Sequence, residues 1–269
     1  MAKKALCVGI NNYPYGDEND LKGCINDARA WAKMLKEHFD FTDVTIATDA
    51  DATQAKTIAG IKKLLAGAKS GDVLVFTNSS HGTYVADDNG DEPDYDEALC
   101  PYDMNDNGML IDDTLREIFA GIPKGVHFTV ISDSCHSGSV TRVINLEGKR
   151  RNRMLAPRIW GGRELTTEQL RAAAKRKQSG EMHPESDMHE ILLSGCKSNQ
   201  TSADAYIDAI SEYYGAMSYY AMQVIKEAKY KLTYAQLHDR LLPALENGNY
   251  EQIPQLEGND SNKRRQIFT

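Results

Sequence analysis

Two rhythms of apolar and polar positions alternate along this chain of 269 residues. Short, mostly apolar runs occur at residues 5–10, at Val44-Thr45-Ile46-Ala47, at 73–77, at 126–131 and at 190–195. Short runs with no polar face predict strands covered on both sides. Between them the period lengthens to that of a helix. Apolar residues at 21, 25, 28, 31, 32, 35 and 39 predict a helix over Leu21–Phe39, and those at 58, 61, 64 and 65 predict another over Thr53–Leu65. Further helices are predicted from about Asp112 to Ala120, over Tyr214–Tyr230 and over Tyr234–Leu245, with a last short strand near Ile253. This order predicts an α/β fold in one domain over 1–269, a mostly parallel sheet with helices on both faces.

Two segments break the rhythm. From Arg142 to Lys177 there are eleven Lys or Arg against three Glu, a charge of +8 in a chain of net −8. The region at about 142–188 therefore reads as a basic insertion, either solvated with one short helix over 166–175 or a mobile linker rich in cleavable bonds. Asp87 to Glu97 is its opposite, with seven carboxylates in eleven residues. It is a solvated loop, a cation site or a docking surface for the basic segment.

The net charge argues against nucleic acid as a partner. No stretch approaches the length of a membrane span, and the apolar run after Lys4 is too short for a signal-peptide core. Five cysteines at irregular spacing do not form a disulfide framework. A reducing, cytoplasmic setting fits them.

The chemistry gathers where apolar runs end. The run 126–131 leads into Ser132-Asp133-Ser134-Cys135-His136-Ser137-Gly138, and the run 73–76 into Asn78-Ser79-Ser80-His81-Gly82. Strand ends in open sheets expose nucleophiles, and a Cys–His pair there is the minimum equipment for thiol acyl transfer. Cys135 sits among small polar residues, unlike the inert surroundings expected of Cys7 and Cys196. His81 is the candidate base. Gly82 and the residues from Ser134 to Gly138 leave backbone N–H groups free to meet an oxyanion. A metal-thiolate site lacks further ligands at suitable spacing. Asp133 lies two residues before the cysteine, where a carboxylate would raise the thiol pKa unless it met a cation. Asp27 lies at the same sheet edge. Two carboxylates converging on one pocket predict recognition of Arg or Lys.

Four blocks then carry a resemblance: Leu21-Lys22-Gly23-Cys24-Ile25-Asn26-Asp27-Ala28, Ser79-Ser80-His81-Gly82, Asp133-Ser134-Cys135-His136-Ser137-Gly138 and Gln200-Thr201-Ser202-Ala203-Asp204. In this order and at this spacing the chain resembles the metacaspases, Arg- and Lys-specific relatives of the caspases; the caspase Gln-Ala-Cys signature is absent. The resemblance implies a caspase-like three-layer sandwich with a central, mostly parallel six-stranded sheet flanked by helices. It implies a His81/Cys135 dyad hydrolysing peptide bonds after Arg or Lys through an acyl-thioester. It implies a substrate pocket lined by Cys24, Asp27, Ser79 and Asp133, and an oxyanion hole from the backbone of Gly82 and Cys135. The partners implied are protein or peptide substrates, with no membrane and no nucleic acid, and the chain is implied to be a monomer.

Many family members hold calcium through carboxylates that match Asp96, Asp112 and Asp113 here. Arg142 stands where a fourth acidic ligand is expected, so no cofactor is expected to be required and calcium dependence is expected to be weak or dispensable. The match of Asp103-x-Asn105-x-Asn107-Gly108 to the opening of an EF-hand ends in Thr114 rather than Glu. The family's insertion after the cysteine strand implies self-cleavage, with Lys149-Arg150-Arg151-Asn152-Arg153 and Lys175-Arg176-Lys177 as preferred sequences. The alternatives are a catalytically silent caspase-fold binding module, a redox-sensing thiol protein and a calcium-binding regulator.

Overall fold

The computed structural model describes residues 1–86, 95–135, 149–155, 185, 188–197 and 200–269. The first half contains β1 (Lys3–Gly9), α1 (Cys24–His38), β2 (Asp43–Thr48), α2 (Gln54–Leu65) and β3 (Val73–Ser79). Then come β4 (Gly82–Ala86), β5 (Tyr95–Leu99), α3 (Met104–Asn107), β6 (Leu110–Ile111), α4 (Asp112–Ala120) and β7 (His127–Asp133). The second half contains β8 (Arg150–Asn152), β9 (Glu190–Ser194), β10 (Ala203–Ile207) and β11 (Glu212–Gly215). It closes with α5 (Ala216–Glu227), α6 (Tyr234–Asn247), β12 (Gln255–Glu257) and α7 (Asp260–Lys263).

Six strands form the central sheet in the order β12-β9-β7-β3-β1-β2. All its neighbours run parallel except β12, which pairs antiparallel with β9 at one edge. Successive side chains of a strand face opposite ways, so a strand covered on both faces feeds two cores. Val73 and Val75 of β3 join Trp31, Leu35, Met217 and Leu241 from α1, α5 and α6. Leu74 and Phe76 join Ile61, Ile118 and Phe119 from α2 and α4 on the other side. The result is the three-layer arrangement.

The predicted elements recur with shifted ends. Helix α1 starts at Cys24 rather than Leu21, because the N–H groups of Lys22 and Gly23 are taken by the Asp204 carboxylate before the helix begins. Helix α5 starts at Ala216 because 212–215 pair as β11. The acidic stretch is partly strand: β5 pairs antiparallel with β4, and with β6 they make a small separate sheet. A third sheet joins β11, β10 and β8. The short helix expected over 166–175 lies outside the described residues. No helix among the described residues is long and apolar enough to cross a membrane.

Candidate active site

Parallel register brings three strand ends level, Gly9 beside Ser79 and Ser79 beside Asp133. His81 and Cys135 each follow their strand by two residues, so adjacency of β3 and β7 places them on one edge. Residue 9 must be glycine for α1 to close over this edge, because a Cβ there would stand 2.3 Å from the Cys24 carbonyl oxygen. Cys24 and Asp27, in the first turn of α1, thereby face the ends of β1 and β3.

His81 is buried. Its Nε2 lies 2.8 Å from the Asn19 carbonyl oxygen. A carbonyl only accepts, so the ring proton sits on Nε2 and Nδ1 presents a lone pair. Nδ1 is buried with no hydrogen-bond partner among the described residues. The ring packs against Tyr13 at 5.4 Å between centroids, and the Tyr13 hydroxyl accepts from the His81 N–H at 3.2 Å. Burial, acting against the Asn19 hydrogen bond, pulls the His81 pKa down to about 4.

Cys135 is also buried. Its sulfur accepts from the Ser202 N–H at 2.5 Å, and the thiol lies 3.4 Å from the Ser202 carbonyl oxygen. Nearby, the Cys196 thiol donates to the Gln200 carbonyl oxygen at 3.2 Å, and the proximity of Cys135 together with burial drives the Cys196 pKa upward. Cys196, read from the sequence as inert, is thus a buried neighbour of the candidate nucleophile. The backbone N–H groups of Gly82 and Cys135 converge on one acceptor, the carbonyl oxygen of Arg153, at 3.0 and 3.2 Å. Residue 82 has no room for a side chain: a Cβ would lie 2.0 Å from the Cys135 carbonyl oxygen.

The side chain of that same Arg153 fills the acidic pocket. Nη2 lies 2.8 Å from Asp27 Oδ2 and 3.0 Å from Asp204 Oδ1, and Nη1 lies 3.5 Å from Asp133 Oδ2. Nη1 also donates to Ser79 Oγ at 2.6 Å and to the Asp133 carbonyl oxygen at 3.2 Å. All four charged side chains are fully buried. Each carboxylate is held by further donors. Gly215 N–H donates to Asp27 at 3.0 Å, Ser218 N–H to Asp133 at 2.8 Å, and Gly23 N–H to Asp204 at 2.9 Å. Ser79 Oγ donates to Asp27 at 2.6 Å. Burial pushes Asp27 up to about 7 against the pull of Arg153, with Asp133 adding to the rise. Cys24 is buried beside this cluster, and desolvation drives its thiol pKa upward.

The four predicted pocket residues are therefore together. Asp204, Ser202 and Gly215 were not assigned to it from the sequence. Asp204 lies in one of the four quoted blocks but offers no local signal of its direction. Gly215 closes the pocket by having no side chain, since a Cβ would meet Asp133 Oδ2 at 2.2 Å and Arg153 Nη1 at 2.3 Å.

Residues 149–155 cross this site as an extended strand. β8 pairs antiparallel with β10, Asn152 opposite Ala203 and Arg150 opposite Ala205. Arg153 N–H donates to the Ser202 carbonyl at 3.0 Å and Tyr206 N–H to the Lys149 carbonyl at 2.8 Å. Beyond Arg153 the chain turns onto β4, where Met154 bridges Gly82 and Leu155 N–H donates to the Gly82 carbonyl at 3.0 Å.

The resemblance matches Asp96, Asp112 and Asp113 to calcium-holding carboxylates. Asp112 and Asp113 open α4, and both are paired with Arg116, Asp112 at 3.1 Å. Asp96 lies on β5. Arg142 lies outside the described residues. Among the described residues no group of three or more His, Cys, Asp or Glu is placed to hold a metal. In the EF-hand-like stretch, Asp103 accepts from Gln54 N–H and Asn107 Nδ2, both at 2.7 Å, which ties α3 to the start of α2.

Among the known proteins that resemble this chain are the following three. Metacaspase-1 of Cryptococcus neoformans var. neoformans serotype D is 33% identical over 293 residues, which span 94% of this chain and 62% of that protein. A protein from Geobacter sulfurreducens, known from its crystal structure, superposes with a TM-score of 0.71 at 26% identity, covering 100% of this chain and 99% of that one. Caspase-1 from Spodoptera frugiperda shares the fold, with a TM-score of 0.55 at 11% identity over 96% and 86% of the two chains. Residues 3–144 match the family model of the metacaspase, peptidase C14 domain. That stretch carries Asp27, Ser79, His81, Asp133 and Cys135, gathered at one sheet edge, and the chain belongs to the metacaspase family.

Proposed function

We propose that this chain is a cysteine endopeptidase that cleaves after Arg or Lys, held in a latent form with its own Arg153–Met154 bond in the substrate position. One observation carries the reading. The Arg153 side chain enters the three-carboxylate pocket while its carbonyl oxygen accepts from two backbone N–H groups. A substrate residue before the scissile bond needs both contacts at once.

In the reaction, His81 Nδ1 takes the Cys135 thiol proton and the sulfur attacks the carbonyl carbon. Negative charge forms on the carbonyl oxygen, where the N–H groups of Gly82 and Cys135 already point. The C–N bond breaks, the imidazolium returns its proton to the departing amine, and an acyl-thioester remains. Water, deprotonated by His81, then attacks the thioester and releases the carboxylate and the thiol. Asn19 holds the ring through Nε2 so that Nδ1 does the proton work. Asp27, Asp133 and Asp204 select the cation. Arg suits the pocket through its forked donors, and Lys enters as a point charge.

The test is hydrolysis of matched fluorogenic peptides ending in Arg, Lys or Asp, with and without chelator, by wild type and Cys135→Ala. Turnover of the Arg and Lys peptides alone, lost in the variant and kept in chelator, is expected. Turnover that survives Cys135→Ala would overturn the mechanism, and no turnover of any peptide would favour a binding module.

A further inference from the structure

Cleavage after a lone Arg would be promiscuous, and the strand on β10 carries more information than its last residue. Arg150, three positions before Arg153, lies with its guanidinium 4.2 Å from the centre of the Tyr250 ring. Its Nη1 donates to the Asn249 carbonyl at 2.8 Å and its Nη2 to the Gly248 carbonyl at 3.3 Å. Both carbonyls follow the last turn of α6, where the helix dipole favours a cation. The ring is itself fixed. Tyr250 is buried, its N–H donates to the Leu245 carbonyl at 3.0 Å, and the Tyr220 ring stands edge-on to it at 5.7 Å. A Cβ at residue 248 would lie 2.2 Å from the Tyr220 hydroxyl, so a side chain there would displace the Tyr220 ring.

The flanking positions are weaker. Lys149 pairs with Asp208 at 2.8 Å, but both side chains are well exposed, so water screens the pair. Arg151 is exposed and makes one bond, to the Asp20 carbonyl at 2.8 Å. Arg150 alone combines a flat aromatic face with two aimed acceptors, a set that fits a guanidinium better than an ammonium.

We propose that Tyr250 and the carbonyls of Gly248 and Asn249 form a second specificity site, which selects substrates with Arg three residues before the scissile Arg. This rests on the reading of Arg153 as the residue before the cleaved bond. The site would apply equally to the chain's own segment and to external substrates carrying Arg-x-x-Arg.

Its test uses the full chain and tetrapeptides capped with a fluorophore, Arg-Ala-Asn-Arg, Lys-Ala-Asn-Arg and Ala-Ala-Asn-Arg. The first is expected to exceed the last by about tenfold in kcat/KM, with the Lys peptide between them. Tyr250→Leu is expected to bring the Arg/Ala ratio towards one, and Tyr250→Phe to preserve it. Self-cleavage gives an independent readout: Arg150→Ala is expected to slow the appearance of the cut after Arg153 by a similar factor in intact mass. Equal wild-type rates on the Arg and Ala peptides would overturn the proposal while leaving the peptidase reading intact. No turnover of any of the three would overturn both.

Discussion

At the scale of single residues, the protonation of His81 is the most exposed point of the mechanism. An ordinary histidine loses its base function as pH falls through about 6.5. Burial lowers this one to about 4, so the lone pair on Nδ1 persists well into acid. The same drop in pH protonates Asp27, whose pKa is near 7, and removes one of three negative charges around Arg153. That loosens the grip without ending it, since the carboxylates of Asp133 and Asp204 stay within reach of the guanidinium. Self-cleavage of the closed chain, followed by intact mass from pH 4 to 8, is therefore expected to hold its rate down to about pH 5. A half-loss near 6.5 would mean that the imidazole is solvated when it works. Cys196 enters at this scale too. Read as inert from the sequence, it is buried; what the sequence did not show is its neighbour Cys135, 61 positions away in the chain, which arrives through the pairing of β7 with β9.

At the scale of elements, the site is an agreement between ends. β3 and β7 deliver His81 and Cys135, α1 delivers Cys24 and Asp27, and β4 begins at the glycine whose N–H meets the Arg153 carbonyl. Gly82 is where two of these pieces touch. Gly82→Ala would drive a methyl into the Cys135 carbonyl and spread the two donors apart. It is expected to lower kcat on an Arg peptide by about 10²–10³, the effect of losing one oxyanion donor, with a smaller change in KM. A comparable loss confined to KM would place the glycine in binding instead. β1, β3, β7 and β9 of the central sheet were legible as apolar runs because both their faces are covered, whereas β2 and β12, at the edges, are exposed or half-buried. β4, β5, β6, β8, β10 and β11 were not legible, since most are short and partly polar and only a partner defines them.

At the scale of the whole molecule, the acidic body holds the basic stretch 149–153 of its own chain. Tethering makes Arg153 a competitor at an effective concentration of about millimolar, ahead of most external peptides. The buried cluster is stable only while the cation is present, because three desolvated carboxylates without it would repel one another and call in water. Latency should thus end when the bond after Arg153 is cut. Wild type is expected to hydrolyse an Arg peptide after a lag that matches the appearance of the cut, and Arg153→Ala to do so without one. Progress curves read beside intact mass decide this: an equal lag in the variant would rule out Arg153 as the lock.

Much was settled by the chain alone. The apolar runs determined the buried strands, the polar small residues after two of them marked Cys135 and His81, and carboxylates at the same edge called for a cation. These follow from local pattern, which needs no partner to be read. Sequence also named the basic stretch 149–153 as cleavable, but five residues there offered four cations of equal claim. Only tertiary structure chose Arg153, because antiparallel register on β10 fixes which side chain reaches the pocket. It also supplied Asp204, Ser202 and Gly215, which stand far along the chain from Asp27 and Asp133. Their direction depends on how the third sheet docks against the first, and no local propensity encodes that.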